Sequence, residues 1–314
     1  MKMDAAAIDA LEVIVDDQTR LGMAILLVVM MFTVALALRF EDFRAVKAEP
    51  YRVLGGVLAQ LVGLPLLTLI LIFLIGPPAS IALGMLIVAS CPGGNVSNLL
   101  THFARGNTAY SVSLTTISSV SAALTTPISI LLWSSLYTPT AELVTRLDVD
   151  PLPFISQTIV LLALPLAAGM FVATRFPRSA AAMRRVLAPI SLGSIAVLVI
   201  VGAAQNWDVI LTAGSVVIPI VVIHNAAAFA LGSLSGRAMR MEAARRRSLA
   251  FEVGIQNSGL GLLLLLSQFD GVGGAAAIIG MWSIWHLIGG SALAGLFRGL
   301  DWLKLRRKEV PAGE

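Results

Sequence analysis

Phe251-Glu252-Val253-Gly254-Ile255-Gln256-Asn257-Ser258-Gly259 is the stretch on which the reading of this chain turns. It lies in an apolar segment, 248–268, long enough to cross a bilayer, yet it is too polar and too glycine-rich for an ordinary spanning helix. A carboxylate at the bilayer centre costs about 2.5–3.5 kcal/mol even on the lenient insertion scale, so it marks an ion or substrate pathway by default. Glu252 is the only acidic residue placed in the hydrocarbon, and no Lys or Arg lies in the interior of any apolar segment to neutralise it. A positive partner from outside the polypeptide is expected.

The rest of the chain supplies the membrane context. With 57% hydrophobic and 13% charged residues and a mean hydropathy of +0.89, it reads as an all-α polytopic membrane protein. Nine segments can span: 21–40, 51–75, 79–104, 108–137, 154–174, 186–205, 211–234, 248–268 and 275–297. Their connections place 19 of the 22 Lys and Arg on one side, leaving Lys2, Arg20 and Arg146 on the other. The positive-inside rule then puts the amino terminus outside and the carboxyl terminus in the cytoplasm of a cell with this protein in its inner membrane. That alternation requires an odd number of spans.

A lead-in over 1–20, one membrane domain over 21–300 and a cytoplasmic tail over 301–314 follow. The acidic start (Asp4, Asp9, Glu12, Asp16, Asp17) lacks the basic region of a cleavable signal peptide. The pI near 9.6 reflects topology and contact with anionic lipid, not nucleic acid. One cysteine, Cys91, excludes an internal disulfide and reads as a small apolar residue.

A second break accompanies the first. Segment 79–104 contains Ser90-Cys91-Pro92-Gly93-Gly94-Asn95-Val96-Ser97-Asn98, where a proline removes a backbone donor beside two glycines. Unwound backbone at membrane depth is tolerated only where protein buries it or a cavity adjoins it. The four segments before 154–174 and the four after it repeat the order plain, plain, broken, long, starting from opposite sides. Such an inverted repeat with paired broken helices points to a transporter site where the two breaks cross. Ser111 and Thr115 are four apart and share a helical face. With Ser97, Asn98 and Glu252 they can form an oxygen cage for a hard cation.

Bland readings compete at each position. Ser97, Asn98, Gln256 and Asn257 also suit hydrogen bonding between helices. His224 and His286 lack a third metal ligand at usable spacing, which favours packing or hydrogen bonding over a relay. An intramembrane enzyme using Glu252 as base would need an activated nucleophile or metal, and no paired carboxylate or Ser-Lys pattern is present. Proton coupling or efflux on the same scaffold is the nearer rival to sodium-driven import.

Cys91-Pro92-Gly93-Gly94-Asn95-Val96-Ser97-Asn98, Ala104-Arg105-Gly106-Asn107 and the Glu252–Gly259 run resemble the bile acid:sodium symporter family. The likeness extends to Glu41-Asp42-Phe43, Thr125-Thr126-Pro127, His224-Asn225 and Trp285-His286. It implies a core domain of about 51–137 and 211–297, a panel of about 21–43 and 154–205, and alternating access between them. It also implies two coupling sodium ions and no other cofactor. One ion would be held by Ser97, Asn98, Ser111, Thr115 and Glu252. The other would be held by Gln60, Glu252, Gln256 and the backbone carbonyls of Val253 and Ile255. An organic anion, bile acid-like or a small carboxylate, would bind near Thr101, Asn257 and His286. Two departures stand out: nine segments where bacterial members often have ten, and Leu287 after His286 where the family commonly has Asn.

Overall fold

Pro92 and its neighbouring glycines end one helix where Gly254 and Asn257 interrupt another, and the fold is organised around the place where these breaks touch. The structure is a computed structural model that describes residues 8–9, 17–38, 49–205, 207–269 and 272–309. Glu41-Asp42-Phe43, much of the lead-in and the last five tail residues lie outside the described residues. Among the described residues the regular structure is helical throughout, as expected of a polytopic membrane protein.

In chain order the helices are α1 (Asp17–Ala35), α2 (Pro50–Leu58), α3 (Leu64–Ile75), α4 (Ala79–Ser90), α5 (Val96–Phe103), α6 (Thr108–Ser135) and α7 (Thr138–Arg146). Then come α8 (Pro151–Arg175), α9 (Pro177–Gln205), α10 (Trp207–Ala238), α11 (Ala243–Gly254), α12 (Ser258–Gln268) and α13 (Gly273–Glu309). Helices α2 and α3 are continuous through a π-helical turn, Ala59–Gly63. Seven continuous helical stretches among the described residues are long and apolar enough to cross a membrane. The segments 79–104 and 248–268 instead fold as the shorter pairs α4–α5 and α11–α12.

Each break has a local cause. At the first, Pro92 cannot donate to the helix ladder, so α4 ends at Ser90 and Ser97 N–H bonds back to Gly94 O at 2.8 Å to open α5. At the second, Asn257 Oδ1 accepts from Leu260 N–H at 3.1 Å and caps α12. The two unwound strands then satisfy each other: Gly94 N–H donates to Ile255 O and Asn257 N–H to Pro92 O, both at 2.9 Å. No water is needed to pair these backbone groups, which is the condition for irregular backbone inside a bilayer.

The crossing is enclosed tightly. Every residue of α4 is buried, and Ser248 to Gly254 of α11 are buried as well. Helix α1 packs on α8, α9 and α12, while α10 packs on α11 and α13. Outward faces are apolar, with Leu164 and Phe171 each 64% exposed on α8. Such surface is at home against lipid tails. Helix α7, begun by Pro139, is a short amphipathic element that the apolar segmentation does not register.

Ion pairs hold the end of the bundle that carries most of the basic residues. Arg245 reaches Glu49 at 2.8 Å, and Arg52 reaches the same carboxylate at 3.0 Å. The hydrogen bond from Arg52 holds the Glu49 carboxyl below the usual carboxylate range. Arg247 grips Asp301 through two bonds, of 2.6 and 2.7 Å, joining α11 to α13.

Helices α10 and α11 approach closely at Gly232 of α10. A β-carbon there would press on Leu249 O and lie 2.7 Å from Ala250 Cα, both backbone atoms of α11. Backbone cannot swing aside as a flexible side chain can. Gly232→Ala is therefore expected to destabilise the protein by about 1–3 kcal/mol, the usual range for overpacking. Thermal unfolding in detergent checks this; an unchanged midpoint would contradict the packing described.

Candidate functional site: a carboxylate at the helix crossing

Glu252 is placed by the last turn of α11, two residues before that helix ends, and it has no solvent exposure. Its two oxygens face different company. Oε2 accepts from Ser97 Oγ at 2.8 Å, Thr115 Oγ1 at 2.8 Å and Ser111 Oγ at 3.4 Å. Thr115 Oγ1 also lies 3.4 Å from Asn98 Oδ1. These groups come from α5 and α6, so the oxygen cage read from Ser97, Asn98, Ser111, Thr115 and Glu252 is assembled in space.

Oε1 points the other way and has no hydrogen-bond partner. A β-carbon at Gly93 would collide with Oε1 and lie 3.0 Å from Gln60 Nε2, so both groups border the same glycine. Both amide atoms of Gln60 and Oε1 of Gln256 are likewise buried without partners. Native interiors leave few polar atoms unpaired, each at a cost of about 1–3 kcal/mol, and more for a charged group. Such atoms are where a ligand or an ordered water can bind.

The backbone carbonyls at this second position are partly engaged. Val253 O accepts from Gln256 Nε2 at 2.7 Å, and Ile255 O accepts from Gly94 N–H. Each carbonyl retains a second lone pair. Gln60 owes its inward position to the π-helical turn. Pro65 has no N–H to return to Leu61 O, and the turn widens just before it.

The helix ends add to this field. Helices α4 and α11 direct their carboxyl ends at the crossing, and α5 and α12 start from it. Carboxyl ends favour cations and amino ends favour anions. The donor set is oxygen throughout, which suits a hard cation better than a soft one.

The three residues expected near substrate are not joined by hydrogen bonds. Thr101 is buried and donates to Ser111 Oγ at 3.3 Å, which makes it a support for the carboxylate cluster. Asn257 is half-buried and spends its carbonyl oxygen on the α12 cap. His286 is buried on α13 with Nδ1 unpaired. His224 bonds Thr68 Oγ1 at 2.7 Å and packs at a tilt against the Trp282 ring, in keeping with a packing role. Cys91 is buried and free.

Two contributors were given no role from sequence, although Asn225 lies in the resembling pair His224-Asn225. Ser118 accepts from Gly93 N–H at 3.4 Å; its position seven after Ser111 and three after Thr115 was a usable signal. Asn225 donates to Gly254 O at 2.7 Å and ties α10 to the end of α11.

The profile of the sodium bile acid symporter family matches residues 24–213, more than half of the chain. The chain belongs to that family. The match takes in the first break and α6, while Glu252 lies beyond it. Relatives matched over 76–87% of the chain extend the likeness. An uncharacterized sodium-dependent transporter, YocS, of Bacillus subtilis is 33% identical over 86% of this chain and 81% of its own length. The probable chloroplastic sodium/metabolite cotransporter BASS1 of Arabidopsis thaliana is 33% identical over 87% of this chain. The chain spans only 65% of that plant relative. The human ileal sodium/bile acid cotransporter is 29% identical over 76% of this chain and 67% of its own length. The family is one of sodium-coupled membrane transporters, and this member is an integral, multi-pass one.

Proposed function

We propose that this protein imports an organic anion together with two sodium ions, by alternating access across the inner membrane. The carrying observation is the division of the Glu252 carboxylate between two oxygen sets at the helix crossing. Oε2 with Ser97, Asn98, Ser111 and Thr115 holds one ion. Oε1 with Gln60, Gln256 and the Val253 and Ile255 carbonyls holds the other. The names of relatives as sodium-dependent transporters support the choice of ion.

In this reading the pairs α4–α5 and α11–α12 each cross the membrane once, giving nine spans related by an inverted repeat. The panel, built on α1, α8 and α9, moves against the remaining core. Sodium binding neutralises the carboxylate, and the anion then binds at the amino ends of α5 and α12 near Asn257 and His286. Two sodium ions with one monovalent anion carry a net positive charge inward. Uptake into proteoliposomes should therefore need an inward sodium gradient and accelerate with an inside-negative potential. Equal uptake when potassium replaces sodium would sink sodium coupling. Uptake driven by a proton gradient alone would favour the proton-coupled rival.

A further inference from the structure

Three consecutive carbonyls at the second break each take a donor from outside the helix ladder. Val253 O accepts from Gln256 Nε2 at 2.7 Å, and Ile255 O accepts from Gly94 N–H at 2.9 Å. Between them, Gly254 O would accept from Ser258 N–H in a continuous helix, but that group donates to Gln256 O. The donor it receives instead is Asn225 Nδ2 of α10, at 2.7 Å.

Asn225 is fixed at both ends. The side chain is 1% exposed, and its oxygen packs on α13, where a β-carbon at Gly289 would lie 2.9 Å from Oδ1. Oδ1 has no hydrogen-bond partner, so what this buried amide supplies is a single donor. A carbonyl can only accept, which sets the amide nitrogen towards Gly254. Phe229, one turn further along the same face of α10, covers Gly254 itself: a β-carbon there would collide with the Phe229 ring. Gly232, two turns on, brings that face against Leu249 and Ala250. Helix α10 thus lies along the last turns of α11 as a splint.

Among these contacts the Asn225 bond removes one specific freedom. A peptide unit is planar, so holding Gly254 O fixes the plane that joins Gly254 to Ile255. Gly254 is the residue best able to let that plane turn, because it has no β-carbon to restrict φ and ψ. Turning it would carry the flanking Val253 and Ile255 carbonyls away from the crossing. We propose that Asn225 is a positioning residue for the sodium ion held by Gln60, Glu252, Gln256 and these two carbonyls, a role that rests on the two-sodium reading above.

Asn225→Leu keeps the volume and removes the donor. In detergent-solubilised full-length protein, with thermal stability followed against sodium or lithium and potassium as the reference, sodium should bind about tenfold more weakly, one hydrogen bond's worth. The preference for sodium over lithium should narrow, because a cage of carbonyls discriminates by where its oxygens are held. Asn225→Ala should shift both in the same direction, and it serves if leucine prevents folding. Thr126→Val is the control. It removes a matched bond at the first break, to Ser90 O at 2.9 Å, whose helical partner Gly94 N–H is likewise spent elsewhere. Sodium affinity should be unchanged in that variant. Unchanged sodium affinity in the Asn225 variants, an untouched preference over lithium, or an equal loss in Thr126→Val would overturn the role of Asn225 and leave sodium coupling standing. If sodium does not stabilise the unmodified protein beyond potassium, the two-sodium reading falls and the role of Asn225 falls with it.

Discussion

Glu252→Gln is expected to abolish sodium-driven uptake, by at least about a hundredfold, while leaving the sodium-free protein as stable as before or more so. The two expectations have one cause. Gln keeps an acceptor for Ser97 and Thr115 in a side chain of the same shape. It also removes a buried charge, whose replacement by a neutral group is often stabilising when hydrogen bonds are kept. What it cannot do is offer a negative charge to the two cations. Sodium at a hundred times its dissociation constant stabilises a single-site protein by about 2.7 kcal/mol, and that increment should vanish in the variant. Thermal unfolding with sodium or potassium, beside uptake in proteoliposomes, reads both effects. A large loss of sodium-free stability would mark Glu252 as a structural residue; an unchanged sodium increment would remove it from the ion sites.

Glu252 announced itself in sequence because a lone carboxylate in an apolar run has few physical excuses. The two breaks were equally legible, since proline and clustered glycines act on the backbone locally. That they meet, and that Ser97, Ser111 and Thr115 all turn to one oxygen, could be anticipated from helical spacing and the family resemblance. Other features depend on tertiary geometry. The inward turn of Gln60 comes from a single widened helical turn before Pro65, which shifts register without changing hydropathy. The resemblance puts Thr101 near the substrate; in the fold its hydroxyl donates to Ser111 Oγ. The start of α9 at Pro177 was hidden by Arg178, Arg184 and Arg185, which read as a connection although the backbone is helical there.

Gly93→Ala separates the two ion positions that Glu252→Gln removes together. Gly93 does not have positive φ; Gly76 is the glycine that does among the described residues. Alanine therefore fits the backbone at 93, and the substitution tests volume alone. The added methyl would collide with Glu252 Oε1, lie 2.8 Å from its carboxyl carbon and 3.0 Å from Gln60 Nε2. The polar neighbours, Oε1 and Gln60 Nε2, belong to the unpaired side of the carboxylate, and neither Ser97 nor Thr115 is among the nearest atoms. Overpacking of about 1–3 kcal/mol, focused on one ligand group, corresponds to roughly 5–150-fold weaker binding there. The expected result is uptake whose dependence on sodium concentration falls from second order towards first, with the sodium increment in stability reduced but not lost. Gly193→Ala is the matched control: a β-carbon there meets no atom within 4 Å, so uptake should be unchanged. If Gly93→Ala keeps the second-order sodium dependence of the unmodified protein, Oε1 and Gln60 do not hold an ion, and the unpaired atoms around them need another explanation.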